Sequence, residues 1–304
     1  MRAIDLFAGA GGFTEGATQA GATVVWAANH WQAAVQTHAA NHPATEHSCQ
    51  DLHQADWRRV PAHDLLLASP CCQGHTRARG KNTPSHDASR STAWAVVSAA
   101  EYHRPAVIVV ENVPEFRSWL LFAAWREAMA AMGYTLSAHV LDAADHGVPQ
   151  HRERLILIGT RSRAPFRLPL RMQQHRPIAA VLDLGAGAWS PVATTRRAPA
   201  TLARIARGRA RFGDRFLIPY YGSGSGLTGR SLTRPIGTIT TLARWAIVDG
   251  DRMRMLSVDE TKAAMGFPAG YRLPAQIRPA IQMLGNAVPP PMARDVITAI
   301  REAT

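Results

Sequence analysis

Apolar residues are spaced in two different ways along the first half of the chain. Runs of strand length occur at 3–7, 23–28, 65–68, 105–110, 134–140 and 155–159. Between them, apolar positions recur at helical spacing in 13–19, 94–102 and 119–132. The run at 105–110 is apolar throughout, which is typical of a strand buried on both faces of a parallel sheet. The alternation predicts an α/β fold with a doubly wound sheet.

The alternation is lost from Arg161 onward, where proline, arginine and glycine dominate. Order returns with an apolar run at 245–248, a helical pattern at 258–265 and a last helix at about 291–301. We therefore expect three parts. Residues 1–161 form the first domain, residues 162–244 a small second domain, and residues 245–304 a segment that completes the first.

The composition is that of a folded protein, with 304 residues, 46% hydrophobic and 18% charged. No apolar run reaches the roughly 18 residues that a membrane span needs, and the residues after Met1 do not form a signal peptide. Three cysteines are too few for a disulfide framework and favour a reducing compartment. We expect a cytoplasmic protein that does not enter a membrane.

The positive charge is concentrated in one segment. Between Arg161 and Arg234 there are 14 arginines and two aspartates, so this segment holds all of the formal net charge of +12. The guanidinium group binds phosphates and base edges through paired hydrogen bonds. A solvated basic face is the alternative, but so uneven a distribution favours a polyanionic partner, with nucleic acid first.

Two cysteines follow the apolar run at 65–68. Cys71 and Cys72 come directly after a proline and before a polar, basic stretch at 77–91. Most free cysteines are small buried hydrophobic residues, and that remains the alternative here. A thiol at a strand end is also placed for chemistry, and a long loop behind it could act as a lid that excludes water.

Further polar residues stand where strands are expected to end. Glu111 follows the apolar run at 105–110, and an unpaired buried carboxylate is costly, so it needs a partner or a task. A capping or salt-bridge role is the alternative. Gln150, Arg152 and Arg154 alternate, so an extended chain would point all three to one side.

The glycine-rich turn 8–12 and the residues Asn29, His30, Trp31 and Asp51 also follow expected strands. Ligands of open α/β sheets bind at the carboxyl ends of strands, so these residues are candidates for a nucleotide-like ligand. A tight structural turn and a core tryptophan are the alternatives.

Six motifs occur together in a fixed order and cover nearly the whole chain. In this order and spacing the chain resembles the DNA (cytosine-5)-methyltransferases. The motifs are Asp5 to Gly12, Pro70 to Gln73, Glu111 to Val113, Gln150 to Arg154, Arg234 to Thr240 and Gly285 to Pro289. The resemblance implies a Rossmann-like methyltransferase sheet. It also implies that the arginine-rich segment is a target-recognition domain.

The resemblance assigns four catalytic residues. Cys72, which precedes Gln73 as in the family's Pro-Cys-Gln, would add to C6 of a flipped-out cytosine and activate C5. Glu111 would hold N3 and the exocyclic amine, while Arg152 and Arg154 would support the thiolate and the base. The methyl donor is S-adenosylmethionine. Cys71 stands where the family usually has proline.

The resemblance also implies a cofactor site and DNA contacts. The cofactor site comprises Phe7, Ala8, Gly9, Gly11, Gly12, His30, Trp31, Asp51, Leu52, Pro70, Asn286 and Val288. The predicted DNA contacts are Gln73, Arg77, Arg79, Lys81, Arg90, Gln150 and Arg234. His30 stands where the family usually has a glutamate on the ribose. This predicts weaker cofactor binding or tolerance of an acidic cofactor variant.

The expected partner is duplex DNA, bound by a monomer that uses no metal. An RNA cytosine-5 enzyme is an alternative, because basic charge does not distinguish duplex DNA from RNA. A catalytically silent DNA-binding homologue is a second alternative, although Cys72, Glu111 and both arginines speak against it.

Overall fold

The apolar runs of the first half form one seven-stranded sheet. A computed structural model describes residues 1–71, 91–220 and 228–303. The strands are β1 (Arg2–Leu6), β2 (Thr23–Asn29), β3 (Glu46–Cys49), β4 (Leu65–Ala68), β5 (Val107–Asn112), β6 (Thr135–Asp142) and β7 (Glu153–Thr160). Their order is β3-β2-β1-β4-β5-β7-β6, with β1 to β5 parallel and β7 antiparallel to both β5 and β6.

Helices cover both faces of this sheet. The helices in the described residues are α1 (Gly12–Gln19), α2 (Gln32–Asn41), α3 (Ala93–His103), α4 (Phe122–Ala131), α5 (Pro199–Phe212), α6 (Val258–Ala264), α7 (Ile277–Asn286) and α8 (Pro290–Ala303). Helices α3 and α4 contribute to the core on one face of the sheet, and α1 and α8 contribute to the core on the other. None of these helices is long and apolar enough to cross a membrane.

The continuous apolar runs follow from this two-sided burial. Along β4, Leu66 and Ala68 pack into one core, whereas Leu65 and Leu67 pack into the other. All four are fully buried, because successive side chains of a strand point to opposite faces and both faces are covered. The predicted doubly wound α/β fold is confirmed.

A second, smaller unit is built on a four-stranded antiparallel sheet. Its strands are β8 (Ser190–Pro191), β9 (Arg215–Pro219), β10 (Trp245–Asp249) and β11 (Arg252–Met255), in the order β8-β11-β10-β9. Helix α5 lies on this sheet, where Ile205 joins Phe216 and Ile218 in a separate core. Gly208 makes the approach close, since a Cβ there would lie 2.2 Å from the Phe216 ring.

The observed division of the chain differs from the expected boundaries at both ends of the second part. Strands β10 and β11 were expected in the C-terminal segment 245–304, but they pair with β9 and β8 in the second sheet. At the other end, Phe166, Leu168 and Leu170 pack against the core of the large sheet. These pairings join residues distant in sequence, which a local hydrophobic pattern cannot show.

Candidate active site

A cavity of about 480 Å³ opens at the carboxyl edge of the large sheet. Its walls come from the residues at and after the ends of β1, β2 and β4, from the end of β5, from the start of β7, from α1 and from α7 with the residues after it. They are Phe7, Ala8, Gly9, Phe13, Asn29, His30, Trp31, Ser69, Pro70, Cys71, Glu111, Arg152, Arg154, Gln282, Met283, Asn286, Ala287 and Val288. Parallel strands end at the same edge, which is why residues far apart in sequence meet here.

The glycine-rich turn brings its backbone to the cavity by a left-handed conformation. Phe7 has φ 61° and Gly9 has φ 55°, and the turn is fixed by hydrogen bonds from Ala8 N to Ala28 O and from Gly11 N to Ala8 O. A non-glycine residue such as Phe7 rarely adopts positive φ, and such strain is concentrated at functional sites. Phe7, Ala8 and Gly9 line the cavity as expected.

The opposite wall comes from the end of α7 and the residues after it. Asn286 and Val288, both predicted from the resemblance, line the cavity. The chain approaches the glycine-rich turn closely here, since a Cβ on Gly12 would lie 2.1 Å from Val288 O. Sequence reasoning missed Gln282 and Met283 on this wall. The spacing of Gln282 and Asn286 by four residues, one helical turn, was the available signal.

The chain after β4 is held at the cavity from two sides. Asn112 Nδ2 donates to Pro70 O at 3.1 Å, and Cys71 N donates to Thr92 Oγ1 at 3.0 Å. Pro70 and Cys71 both line the cavity. Cys72, the expected nucleophile, lies outside the described residues, directly after this anchored pair.

Glu111 and Arg154 form a buried ion pair in the cavity wall. Arg154 Nε lies 2.9 Å from Glu111 Oε1, and the two side chains are 11% and 8% exposed. Glu111 lies in β5, before the strand ends, and the antiparallel neighbour β7 starts beside it. Burial raises the pKa of the Glu111 carboxyl above its usual value, although Arg154 and Arg152 oppose the shift.

Arg152 serves mainly as a clamp between segments. Its Nη1 donates to Ile239 O at 2.9 Å, and its Nη2 donates to Gly285 O at 2.8 Å and to Ala287 O at 3.0 Å. The side chain is 1% exposed and lines the cavity. Arg152 therefore positions the wall that carries Asn286 and Val288, and its terminal nitrogens are committed to backbone carbonyls.

The structure corrects the role of Gln150, which was expected to contact DNA. The residue is 0% exposed. Its Oε1 accepts from Ile239 N at 2.7 Å, and its Nε2 donates to Ala264 O at 3.3 Å. Gln150 precedes β7, which begins at Glu153, and its backbone pairs with Ile236 instead. Its side chain is therefore occupied by contacts within the protein.

Four residues expected in the cofactor site do not line the cavity. Leu52 is 3% exposed and packs in the core of the large sheet, so its role at the cofactor stays a prediction. Gly11 and Gly12 lie at the start of α1, under the turn rather than on its surface. Asp51 is exposed and accepts from His53 N at 3.0 Å, and this bond is the main cause that lowers its pKa.

Most of the expected DNA contacts fall where the structure gives no description. Gln73, Arg77, Arg79, Lys81 and Arg90 lie outside the described residues, as does the expected lid at 77–91 except for its last residue. Arg234 is exposed, and its carbonyl accepts from Ile178 N at 3.0 Å.

The cavity is suited to an amphipathic ligand of nucleoside size. Its volume lies within the roughly 300–1,000 Å³ typical of small-molecule sites. Phe7 and Trp31 supply aromatic surface, while Asn29, His30 and Asn286 supply polar groups. These residue types fit the adenosine and methionine parts of S-adenosylmethionine. Within residues 1–71, 91–220 and 228–303, no group of three or more His, Cys, Asp or Glu side chains could hold a metal ion.

Comparison with known proteins gives a consistent result. The family model described as C-5 cytosine-specific DNA methylase matches residues 1–183 and 200–302. Type II methyltransferase M.HgiDI of Herpetosiphon aurantiacus is 29% identical over 309 residues, 99% of this chain and 94% of that protein. M.NgoBI of Neisseria gonorrhoeae is 31% identical over 185 residues, 60% of this chain and 57% of that protein.

A solved structure is similar over the whole chain. A DNA modification methyltransferase encoded within a prophage of E. coli superimposes with a TM-score of 0.73 at 17% identity, covering 99% of both chains. At this identity the likeness concerns the fold.

Proposed function

Because the chain belongs to the C-5 cytosine-specific DNA methylase family, we propose that its cavity methylates cytosine at C5 in duplex DNA through a transient bond to Cys72. The reaction of the family is methyl transfer from S-adenosylmethionine to C5 of cytosine in DNA. The observation that carries the assignment to this cavity is the buried Glu111–Arg154 pair, which shares the cavity with Cys71.

The thiol of Cys72 provides the nucleophile. In the proposal its thiolate forms a bond to C6 of the cytosine, which moves electron density to C5. S-adenosylmethionine, when bound, supplies the electrophilic methyl group. After C5 has taken the methyl group, loss of the C5 proton to a base and elimination of the thiolate restore the aromatic ring. The anchoring of Pro70 and Cys71 supports this placement.

Glu111 is proposed to hold the far edge of the ring. Burial raises the pKa of its carboxyl. In the proposal the protonated carboxyl donates to cytosine N3 while N3 gains negative charge during the addition. Arg154 fixes the orientation of the carboxyl through its Nε contact at 2.9 Å. A duplex base reaches this depth only after it has been flipped out of the stack.

His30 is proposed to make the ribose end of the cofactor site different from that of relatives. A neutral imidazole offers one acceptor, whereas a carboxylate offers two oxygens to the ribose hydroxyls. We expect weaker binding of S-adenosylmethionine, or acceptance of an acidic variant of it. The His30→Glu variant should then bind the cofactor more tightly in calorimetry. Unchanged affinity contradicts the proposal.

The second sheet with α5 is proposed to read the DNA target. Arg152 of the cavity wall donates to Ile239 O in the segment that leads into β10, and the unit carries exposed arginines such as Arg207 and Arg211. We further propose that the protein acts as a monomer in the reducing cytoplasm, where vicinal thiols stay reduced. Sedimentation with and without DNA tests the oligomeric state.

The deciding experiment supplies S-adenosylmethionine with a labelled methyl group together with duplex DNA or structured RNA. We expect label on DNA with wild type and with Cys71→Ser, and none with Cys72→Ser. DNA that contains 5-fluorocytosine should trap a covalent conjugate, because fluorine takes the place of the C5 proton whose loss would release the thiolate. Label on RNA alone contradicts the DNA assignment, and loss of label only in Cys71→Ser contradicts the choice of cysteine.

A further inference from the structure

An arginine-bearing segment crosses the outside of the large unit. Residues 161–176, which we call the strap, connect β7 to the second unit without regular secondary structure. Three even-numbered residues pack against the core formed by α1, α8 and the sheet, namely Phe166, Leu168 and Leu170. Three odd-numbered residues are exposed arginines, namely Arg163, Arg167 and Arg171. The alternation places the three guanidinium groups on the side away from the protein.

These three arginines differ from those of the second unit, many of which are neutralised. Arg209 pairs with Asp251, Arg215 and Arg252 pair with Asp249, and Arg254 pairs with Glu260, all at 2.7–2.8 Å. In the part of the chain that the structure describes, no carboxylate lies within 4 Å of the guanidinium of Arg163, Arg167 or Arg171. Their positive charges are available to a partner.

Two acids beside the strap, Asp145 and Asp295, pair with groups other than the three arginines, and one of those groups, His175, belongs to the strap itself. Asp145 Oδ1 lies 2.8 Å from His175 Nε2. Asp295 lies 2.9 Å from His146 Nδ1 and 2.7 Å from Arg294 Nη2. Asp295 and Glu302 border the same groove as Arg171, but no ion pair joins either carboxylate to the Arg171 guanidinium among the described residues. The three arginines are therefore not paired with neighbouring acids.

The strap leads to the edge of the sheet at which the cavity opens. It starts after Thr160, the end of β7, and β7 is antiparallel to β5. It rises to Gln173, whose N–H donates to Asp145 O at 2.7 Å in the turn that follows β6. Since β6 is also antiparallel to β7, that turn lies at the cavity edge. An extended chain from Arg163 to Arg171 spans about 26 Å.

We propose that Arg163, Arg167 and Arg171 bind the phosphates of duplex DNA that extends beyond the target site. The inference deepens the proposed function, because it takes DNA as the partner from there. Three exposed guanidinium groups at intervals of four residues can each meet a phosphate of the DNA backbone. Nothing on the strap is a helix or a paired ribbon that could enter a groove, so the contact is independent of sequence.

The test compares two triple variants that lose the same charge. One replaces the strap arginines (Arg163→Gln, Arg167→Gln, Arg171→Gln). The control replaces three exposed arginines scattered elsewhere on the described surface (Arg59→Gln, Arg126→Gln, Arg278→Gln). Binding of random-sequence duplexes of about 12 and about 40 base pairs is measured by fluorescence anisotropy between about 50 and 200 mM salt.

Wild type and the control variant should bind the longer duplex more tightly per site than the shorter one. The strap variant should lose that advantage, and its salt slope on the long duplex should fall by about 2.7, for three phosphate contacts at about 0.9 each. Between about 50 and 200 mM salt, the strap variant should therefore lose about 40-fold less affinity for the long duplex than wild type loses. The affinity for the short duplex should be unchanged.

An equal length advantage and salt slope in the strap variant overturn the inference, and so does an equal loss in the control variant. Methyl transfer to the short duplex is followed in parallel. If wild type and both triple variants transfer no methyl group, the proposed function is contradicted. The difference in affinity between the long and the short duplex still tests the strap in that case. A thermal unfolding midpoint equal to that of wild type shows that Arg163, Arg167 and Arg171 are not needed for folding.

Discussion

The two sheets of this protein use buried charge in opposite ways. At the edge of the large sheet, Glu111 is paired with Arg154, yet burial still raises the pKa of the Glu111 carboxyl. In the second unit, Glu260 accepts two hydrogen bonds from Arg254 and others from Ser257 N and Asp183 N, and these bonds lower its pKa in spite of burial. Burial outweighs the arginines at Glu111, whereas the hydrogen bonds together outweigh burial at Glu260.

The difference shows which buried charge is structural. Every acceptor position of Glu260 is occupied by the fold, including a capping box at the start of α6. Glu111 faces a cavity and has fewer protein partners, so it retains hydrogen-bonding capacity for a ligand. Substitution of Glu111 should therefore affect the rate of methyl transfer, whereas breaking the Arg254–Glu260 pair should affect the free energy of unfolding.

The largest effect is expected for Glu111→Gln. The amide keeps the shape but removes the acid function, so kcat for methyl transfer should fall by about 10²- to 10⁴-fold. The matched control is Glu115→Gln, three residues beyond the strand and not part of the cavity wall. Single-turnover transfer of the labelled methyl group measures the effect. A decrease below tenfold, or an equal decrease in the control, contradicts the role of Glu111.

Arg254→Met tests the other half of the comparison. Removal of one partner leaves the Glu260 carboxylate buried without its counter-charge, which should lower the free energy of unfolding by about 3–5 kcal/mol. Arg252→Met is the control, because its side chain is half exposed in its pair with Asp249, and we expect a loss of about 1 kcal/mol or less. Urea denaturation measures both. Similar losses in the two variants would remove the distinction between a buried and a surface pair.

The sequence predicted the cavity better than it predicted the second unit. The strand-end argument placed the glycine-rich turn and Trp31 at one edge of the sheet, and the resemblance added Phe7, Pro70 and Glu111. The structure brings Phe7, Trp31, Pro70 and Glu111 together in one cavity. The position of this edge depends on strand direction alone. It can be inferred from local patterns that alternate between strand and helix.

The second sheet depends on pairings that local patterns do not contain. Strand β10 pairs with β9 across the segment between Pro219 and Trp245. Helix α5 was missed because its arginines obscure the apolar positions Leu202, Ile205 and Phe212 that face the sheet. The burial of Leu52 in the core of the large sheet depends on tertiary packing, which its local sequence does not show.

Gly12→Ala tests how closely the two walls of the cavity must approach. A Cβ at this position would lie 2.1 Å from Val288 O, a backbone atom that cannot rotate away. We expect the free energy of unfolding to fall by about 1–3 kcal/mol, and cofactor affinity to fall with it because Val288 lines the cavity. Gly270→Ala is the control, since no atom lies within 4 Å of its added Cβ. Equal stability of the two variants would show that the wall can shift freely.

The last prediction concerns Asp5, a buried carboxyl in β1, and the change of the free energy of unfolding with pH. Thr14 Oγ1 donates to Asp5 Oδ2 at 2.7 Å and lies 3.0 Å from His38 Nε2, while Asp5 Oδ1 has no hydrogen-bond partner among the described residues. Burial raises the pKa of Asp5 from 3.8 to about 7.

Between about pH 4 and pH 7 the folded protein therefore binds one proton more than the unfolded chain. The contribution of Asp5 to stability is present at low pH and is lost as pH rises towards 7, by about 1.4 kcal/mol per pH unit. Asp5→Asn lacks this titration, so its stability relative to wild type should rise with pH over this range and level off above it.

His38, which lies 3.0 Å from Thr14 Oγ1, is present in both proteins, so the quantity compared is the difference between Asp5→Asn and wild type. A second variant fixes the sign of the effect. Thr14→Val removes a hydrogen bond that lowers the pKa of Asp5, so it should extend the loss of stability to higher pH than in wild type. Urea denaturation at closely spaced pH values measures both variants. A constant difference between Asp5→Asn and wild type would mean that Asp5 is ionised in the folded protein throughout, and its carboxyl would then resemble Glu260 rather than Glu111.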